Sequence, residues 1–312
     1  MKPRRNRPGR QPLLIPRRVT IETIFGCNCN CVMCPSRRPT KRKRGIMPMP
    51  LFRRLIDRLV PYRDMIEMMD LYCLGEPLMD PLIFDRIRYV KERGFRNVAI
   101  STNADLLDAH ARRRLLESGI DTVLFSIDGV RKRTHEAIRR GVKFERVRAN
   151  VESIIRMRDK GGYKTRFVLR FIRQDSNRDE WEPYKKYWGA RISRDKRDFI
   201  TAYDVHSWGG QVSTKDRVLA GSRRDPRIER LPCRVISEIL YVLSNGVVPL
   251  CHEDWLHPLH AMGNVARQDP IAIFNSPRFR RIRALHRSGR KNRMAICREC
   301  TALYSESSKE VV

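Results

Sequence analysis

The chain has 312 residues, 41% of them hydrophobic, which is enough for one large core plus a smaller domain and excludes a disordered protein. Its 65 Lys and Arg against 35 Asp and Glu give a net charge of +30 and a pI near 10.6. Such an excess favours polyanionic partners, whether nucleic acid, nucleotides or phosphorylated substrates; a membrane surface, or a basic surface with no purpose, are the alternatives. No apolar run approaches the ~20 residues needed to cross a bilayer, and no apolar signal core precedes the first motif, so the expected location is cytoplasmic. Nine cysteines in that setting point to metal binding rather than disulfides.

Residues 1–18 carry Lys2, Arg4, Arg5, Arg7, Arg10, Arg17 and Arg18, no acidic residue, and prolines at 3, 8, 12 and 16 that prevent a regular helix. They read as a basic arm able to track a phosphate backbone, or equally as a disordered tail. Alternation over 19–25 predicts a strand that delivers the chain to Cys27-Asn28-Cys29-Asn30-Cys31-Val32-Met33-Cys34. Within it, Cys27, Cys31 and Cys34 form a C-x3-C-x2-C spacing that can fold three thiolates around an iron–sulfur cube, with one iron left open to chelate a small molecule. The alternative is a zinc knuckle, although closed zinc sites usually use paired C-x2-C units and only one such pair is present in this stretch. Cys29 has no place in the spacing and reads as a spare thiol. The loop that follows concentrates Arg37, Arg38, Lys41, Arg42, Lys43 and Arg44 near the expected substrate entrance.

Helices are then expected at 50–60, 82–93, 108–118, 146–159 and 178–188, alternating with strands at 66–73, 96–101, 121–127, 165–172 and 198–204. This alternation implies parallel βα units with right-handed crossovers, in which functional groups gather at the C-terminal strand ends. Three signals sit at such ends: Leu74-Gly75-Glu76-Pro77, Ser101-Thr102-Asn103 and Ser126-Ile127-Asp128-Gly129. Taken alone, the last two are ordinary turn or cap sequences. Arg170 and Arg173 near the fifth strand end can meet a carboxylate or phosphate.

The cysteine triplet resembles the defining motif of the radical S-adenosylmethionine (radical SAM) superfamily. The resemblance implies an α/β fold, a partial (β/α)6 TIM-like barrel, with a 4Fe-4S cluster on Cys27, Cys31 and Cys34. It further implies reductive cleavage of S-adenosylmethionine to a 5′-deoxyadenosyl radical that takes a hydrogen atom from a substrate carbon. Leu74-Gly75-Glu76-Pro77 resembles the family's GGE-type motif, with Leu74 in place of one glycine, so Gly75, Glu76 and Pro77 are implied to receive the cofactor's amino group. Ser101, Asn103, Ser126 and Asp128 take by the same resemblance the contacts to the methionine carboxylate and the ribose. Cys73, just before this motif, is either a buried small hydrophobe or, as in some radical SAM epimerases, the thiol that returns a hydrogen atom.

Farther on, 205–232 reads as a connector, and His206-Ser207-Trp208-Gly209-Gly210 resembles the segment leaving the barrel in SPASM-type radical SAM enzymes. Cys233, Gly246 and Cys251 give C-x12-G-x4-C, and Cys297 and Cys300 add C-x2-C, with a hairpin expected over 238–242 and 246–249. This resembles the SPASM/twitch extension, in the shorter form with one auxiliary 4Fe-4S cluster; a four-cysteine zinc site is the alternative. His252, His257 and His260 read as polar loop residues or substrate contacts. The expected domains are the arm 1–18, the barrel 19–205, a linker 206–232, a SPASM/twitch-like domain 233–303 and a tail 304–312. The expected activity is modification of a nucleic-acid or nucleotide-linked group by rearrangement, oxidation or epimerisation, with an electron donor such as flavodoxin or ferredoxin. Carbohydrate or aminoglycoside chemistry, then peptide modification, are the alternatives. A non-enzymatic nucleic-acid-binding protein with structural clusters stands outside them.

Overall fold

The computed structural model describes residues 12–38, 40–211, 230–254, 260–302 and 307–310. Seven parallel strands form its centre: β1 (Arg18–Ile21), β2 (Met68–Asp70), β3 (Val98–Thr102), β4 (Thr122–Ser126), β5 (Arg166–Arg173), β6 (Phe199–Asp204) and β7 (Ile239–Val242). Strands β1 to β6 lie side by side in chain order, β7 adds beside β1, and β8 (Ser307–Glu310) closes the far edge antiparallel to β6. Strand ends 21, 70, 102, 126 and 204 carry the chain directly into the loops flagged in the sequence.

The crossovers are α1 (Met49–Leu59), α2 (Ile83–Glu92), α3 (Ala109–Glu117), α4 (Lys132–Ile138), α5 (Phe144–Lys160) and α6 (Trp181–Gly189). Helix α1 shows why they pack as they do: Leu51, Phe52, Leu55, Ile56 and Leu59 recur at helical spacing and are all buried against the sheet. Asp108 caps α3 by accepting from the Ala111 amide at 2.8 Å. Under α2 lies a fully buried ion pair, Arg86 to Asp80 at 2.8 Å, whose second carboxylate oxygen accepts from the Leu82 amide.

Two expectations are corrected. The strand over 19–25 is broken: after β1 the chain leaves the sheet at Glu22, and Ile24–Phe25 pairs instead with Gly45–Ile46. Glu22 is buried and spends its carboxylate on Arg42 and on the amide and hydroxyl of Ser244, so Arg42, stacked over Phe25 at 4.0 Å, turns inward and is not part of an entrance. The hairpin of 238–242 and 246–249 is only a tight turn, closed by the Leu243 amide on the Val247 carbonyl at 2.8 Å. Its first arm is β7 of the main sheet, whereas Val247–Val248 pairs with Gly263–Asn264. The short apolar run 239–242 is long enough for either role; burial on both faces in a parallel sheet decides it.

Candidate active site

Every parallel strand sends at least one side chain into a cavity of about 1060 Å³, among them Thr20, Asp70, Ser101, Ser126, Arg170 and Tyr241. The open sheet therefore curls into a partial barrel around it. Cys27, Cys31 and Cys34 line one part of the wall, and Cys233, Cys251, Cys297 and Cys300 line another, so both cysteine sets face one chamber.

The first set is held by three clamps. Asn30–Cys31 pairs antiparallel with Arg139–Arg140, and the Val32 amide reaches the Ile138 carbonyl at 2.9 Å. Gly75 admits the loop from the other side: a Cβ there would stand 2.1 Å from the Ile24 carbonyl oxygen and 2.9 Å from that of Gly26. The next amide, Glu76, donates to the Gly26 carbonyl at 2.8 Å. Trp208 closes the third side with its indole donating to the Met33 carbonyl at 3.1 Å. Around the sulfurs stand donors: the Cys29 amide 3.3 Å from Cys27 Sγ, and Arg139 Nη1 3.7 Å from Cys31 Sγ. A hydrogen bond from Cys29 and the Arg139 charge hold the Cys31 thiol below its usual range, whereas burial pushes Cys27 up to about 12. Cys29 Sγ lies 3.2 Å from Cys31 Sγ and also faces the chamber.

Glu76 is buried beside this loop and accepts from Thr102 Oγ1 at 2.6 Å, the Asn103 amide at 2.8 Å and the Leu78 amide at 3.1 Å. Burial raises its pKa against those bonds. Asn103 reaches back to Asn28 at 2.9 Å, which joins the end of β3 to the cysteine loop. Ser101 and Ser126 both face the chamber and both accept from Arg170 Nη2, at 2.6 and 2.7 Å. Gly75, Glu76, Ser101, Asn103 and Ser126 thus converge, while Pro77 is buried away from the chamber. Asp128 departs from its expected place. Fully buried, it spends its oxygens on Arg139, at 2.8 Å, and on the Ile172 amide, at 2.7 Å, and it does not line the chamber. Its task here is to hold Arg139. Arg173 is likewise taken, by Asp204 at 2.8 Å.

The second set is assembled from three segments. Ser207 locks the barrel exit onto the C-terminal cysteines, with its amide on Thr301 Oγ1 and its hydroxyl on the Glu299 carbonyl, both at 2.7 Å. Gly209 and Gly210 follow at φ 61° and 86°, where a Cβ would stand 2.7 Å from Ile296 and 2.8 Å from Glu299. Helix α7 (Pro277–Arg287) puts His286 Nε2 3.5 Å from Cys297 Sγ. Burial raises all four thiols. Beside this second set sits buried Glu253, 2.7 Å from His252 and 3.3 Å from His206. Burial opposes its ionisation, but the two imidazoles hold its carboxyl well below the usual range. His260 faces Asp254, and His257 lies outside the described residues.

Among the described residues no three such groups converge closely enough to hold a single metal ion. Two walls of inward thiols ringed by donors fit sulfide-bridged clusters, whose irons are spread over a cube. Residues 21–169 match the radical SAM superfamily model and residues 233–301 match the SPASM model, an iron–sulfur cluster-binding domain. The chain thus carries a radical SAM domain followed by a SPASM domain. With these domains it takes S-adenosylmethionine and iron–sulfur clusters as cofactors.

Among solved structures, radical SAM relatives share the fold. BtrN in complex with AdoMet and 2-DOIA superposes with TM-score 0.62 at 18% identity, over 92% of this chain and 93% of that one. Streptococcus suis SuiB bound to its precursor peptide SuiA gives TM-score 0.64 at 15% identity, over 93% and 70%. In sequence, the AdoMet-dependent heme synthase of Methanosarcina barkeri is 32% identical over 139 residues, 44% of this chain and 38% of that protein. A probable GTP 3′,8-cyclase of Methanothermobacter thermautotrophicus is 28% identical over 111 residues, 36% of this chain and 35% of that protein. The chain thus matches little more than a third of the length of these curated relatives. No helix among the described residues is long and apolar enough to cross a membrane.

Sequence reasoning missed Arg139 and Glu253, and marked Trp208 only as part of the segment leaving the barrel, with no contact to the cysteine loop. Arg139 was legible only as one basic residue among many, because the pairing of 139–140 with the cysteine loop is non-local. Trp208 carried a signal, the Gly-Gly behind it.

Proposed function

We propose that the chain uses radical SAM chemistry to modify a nucleic-acid or nucleotide-linked group inside this chamber. The observation that carries the reading is the single cavity faced by both cysteine sets and by the cations Arg166, Arg170, Lys291 and Arg298. Cys27, Cys31 and Cys34 would hold the reactive cluster and Cys233, Cys251, Cys297 and Cys300 the auxiliary one. When bound, the first cluster with S-adenosylmethionine supplies a radical that abstracts hydrogen from the substrate. Glu76, with Gly75, Ser101, Asn103 and Ser126, would orient the cofactor beside the cysteine loop, and the curled sheet would exclude water from the reacting carbon.

Anionic substrates agree with the +30 charge, and the GTP named for one relative is itself such a substrate. A polycationic aminoglycoside would be repelled by the same field. Cys73 faces the chamber, and burial keeps its thiol protonated, the form from which a hydrogen atom is given up. As donor to the substrate radical it predicts that Cys73→Ala forms 5′-deoxyadenosine normally but yields an altered product; an unaltered product removes it from the reaction.

The test of the substrate is the yield of 5′-deoxyadenosine from anaerobically reconstituted, reduced protein given host nucleic acid, against the same material digested by nuclease and dephosphorylated. Stimulation by the intact polymer or its nucleotides supports the reading. Equal, slow cleavage in both cases directs the search to sugars and peptides.

A further inference from the structure

Two arginines face the barrel interior with no carboxylate at ion-pair distance among the described residues. Arg166 and Arg170 are four residues apart on β5, both face the cavity, and both are held by neutral hydroxyls: Arg170 by Ser101 and Ser126, Arg166 by Thr122 Oγ1 at 3.0 Å. The Nε of each is buried without a hydrogen-bond partner. The neighbouring acids are committed elsewhere. Asp70 pairs with Arg18 and Thr20, Asp128 with Arg139, and Asp204 with Arg173. Glu76 is satisfied by three neutral donors. Among the described residues, neither Arg166 nor Arg170 is in an ion pair, and Arg166 stacks only distantly, 5.8 Å over Phe199.

A guanidinium partly withdrawn from bulk water, with no counter-ion, gains from an anion that brings oxygens to its free N–H groups. The two serine hydroxyls, their Oγ atoms 3.4 Å apart, fix the Arg170 guanidinium by accepting from its Nη2, and the rest of its N–H groups are the donors left for an anion. Arg166 stands about 13 Å farther down the strand, at roughly 3.3 Å per residue, and adds to the field without sharing the same anion.

We propose that the barrel interior holds an oxyanion site, built on Arg170 and backed by Arg166, which takes a phosphate or carboxylate group of the substrate. It rests on the reading that this cavity is the catalytic chamber. It also fixes the substrate as a molecule that brings an anionic group inside the barrel, whatever polymer the outer surface attracts.

The test is calorimetric titration of the reconstituted full chain, saturated with S-adenosylmethionine, using inorganic phosphate and acetate as separate probes. Salt at about 0.3 M suppresses binding to the exposed surface cations and leaves the enclosed site. The expected result is one site for phosphate, acetate or both, weakened about tenfold or more by Arg170→Met and less by Arg170→Lys, which keeps the charge and loses the fork. Arg166→Met weakens it by a smaller factor. S-adenosylmethionine affinity stays within about threefold of the unaltered chain, a shift well under 1.4 kcal/mol. Preference for phosphate identifies a phosphate ester, and preference for acetate a carboxylate substrate. The proposal is overturned if Arg170→Met, or Arg170→Lys should the former not fold, leaves probe binding unchanged. It is equally overturned if the variants instead lose S-adenosylmethionine, since the guanidinium would then serve the methionine carboxylate. Failure of the unaltered chain to bind S-adenosylmethionine would count against the chamber reading itself, while the probe titration still decides the anion site.

Discussion

Cys29 and Cys31 sit two residues apart, with sulfurs in contact, yet their surroundings separate them. Cys31 has Arg139 beside it and a fixed strand pairing; Cys29 falls outside the three-cysteine spacing. Cys31→Ser should therefore lose about four irons per chain, one cube, while Cys29→Ser keeps them, as read by iron analysis and absorbance. Equal losses would make Cys29 a ligand. His135 gives a prediction of a different kind. Fully buried, it accepts from the Asp128 amide at 3.3 Å, and burial, with Arg139 nearby, pushes it down to about 3. A histidine depressed on folding binds its proton more readily in the unfolded chain, so its contribution is whole above pH 6.5 and is lost as pH falls toward 3. At pH 4 the loss is about 3 kcal/mol. His135→Gln should shrink the difference between denaturant midpoints at pH 7 and pH 4; an unchanged difference contradicts it.

At the scale of elements, the decisive contact is between two loops. Gly75 lets the turn after β2 lie directly on the cysteine loop, and the Glu76 amide then bonds across. Gly75→Ala should push these loops apart, costing about 1–3 kcal/mol of stability and at least about tenfold in S-adenosylmethionine affinity, measured by thermal melting and equilibrium dialysis. Unchanged affinity would show that Glu76 does not orient the cofactor. Much of this level was legible in the sequence, because strands and helices alternate with strong periodicity and the motifs stand at strand ends. What was not legible depended on distant partners. Glu22 ends β1 early because Arg42 and Ser244, far away in sequence, satisfy its buried carboxylate; β7 joins the main sheet because β1 offers a free parallel edge. Asp128 looked like a cofactor ligand by its position, and only the fold shows it turned to Arg139 and the β5 backbone.

Over the whole molecule, charge divides into two populations. Buried arginines such as Arg86 and Arg158 are structural, each paired with a buried aspartate. The outer surface is different: the segment 270–298, which includes α7 and one cavity wall, has no acidic residue and exposes Arg280, Arg281, Arg287 and Arg293. If this surface guides nucleic acid, affinity should be micromolar or tighter at low salt. With six to ten phosphate contacts it should fall by roughly 10³–10⁵ between about 50 and 200 mM salt. Absence of binding at low salt would remove nucleic acid as the substrate and leave small anions. Radical chemistry in the shared chamber is common to all of these readings. The measurement that tests it most directly is anaerobic formation of 5′-deoxyadenosine from S-adenosylmethionine by the reduced, cluster-loaded chain and by its Cys31→Ala and Cys297→Ala variants. The expected result is cleavage by the unaltered chain, none by Cys31→Ala, and cleavage retained by Cys297→Ala. No 5′-deoxyadenosine from a chain carrying both clusters, or cleavage that survives Cys31→Ala, would contradict it.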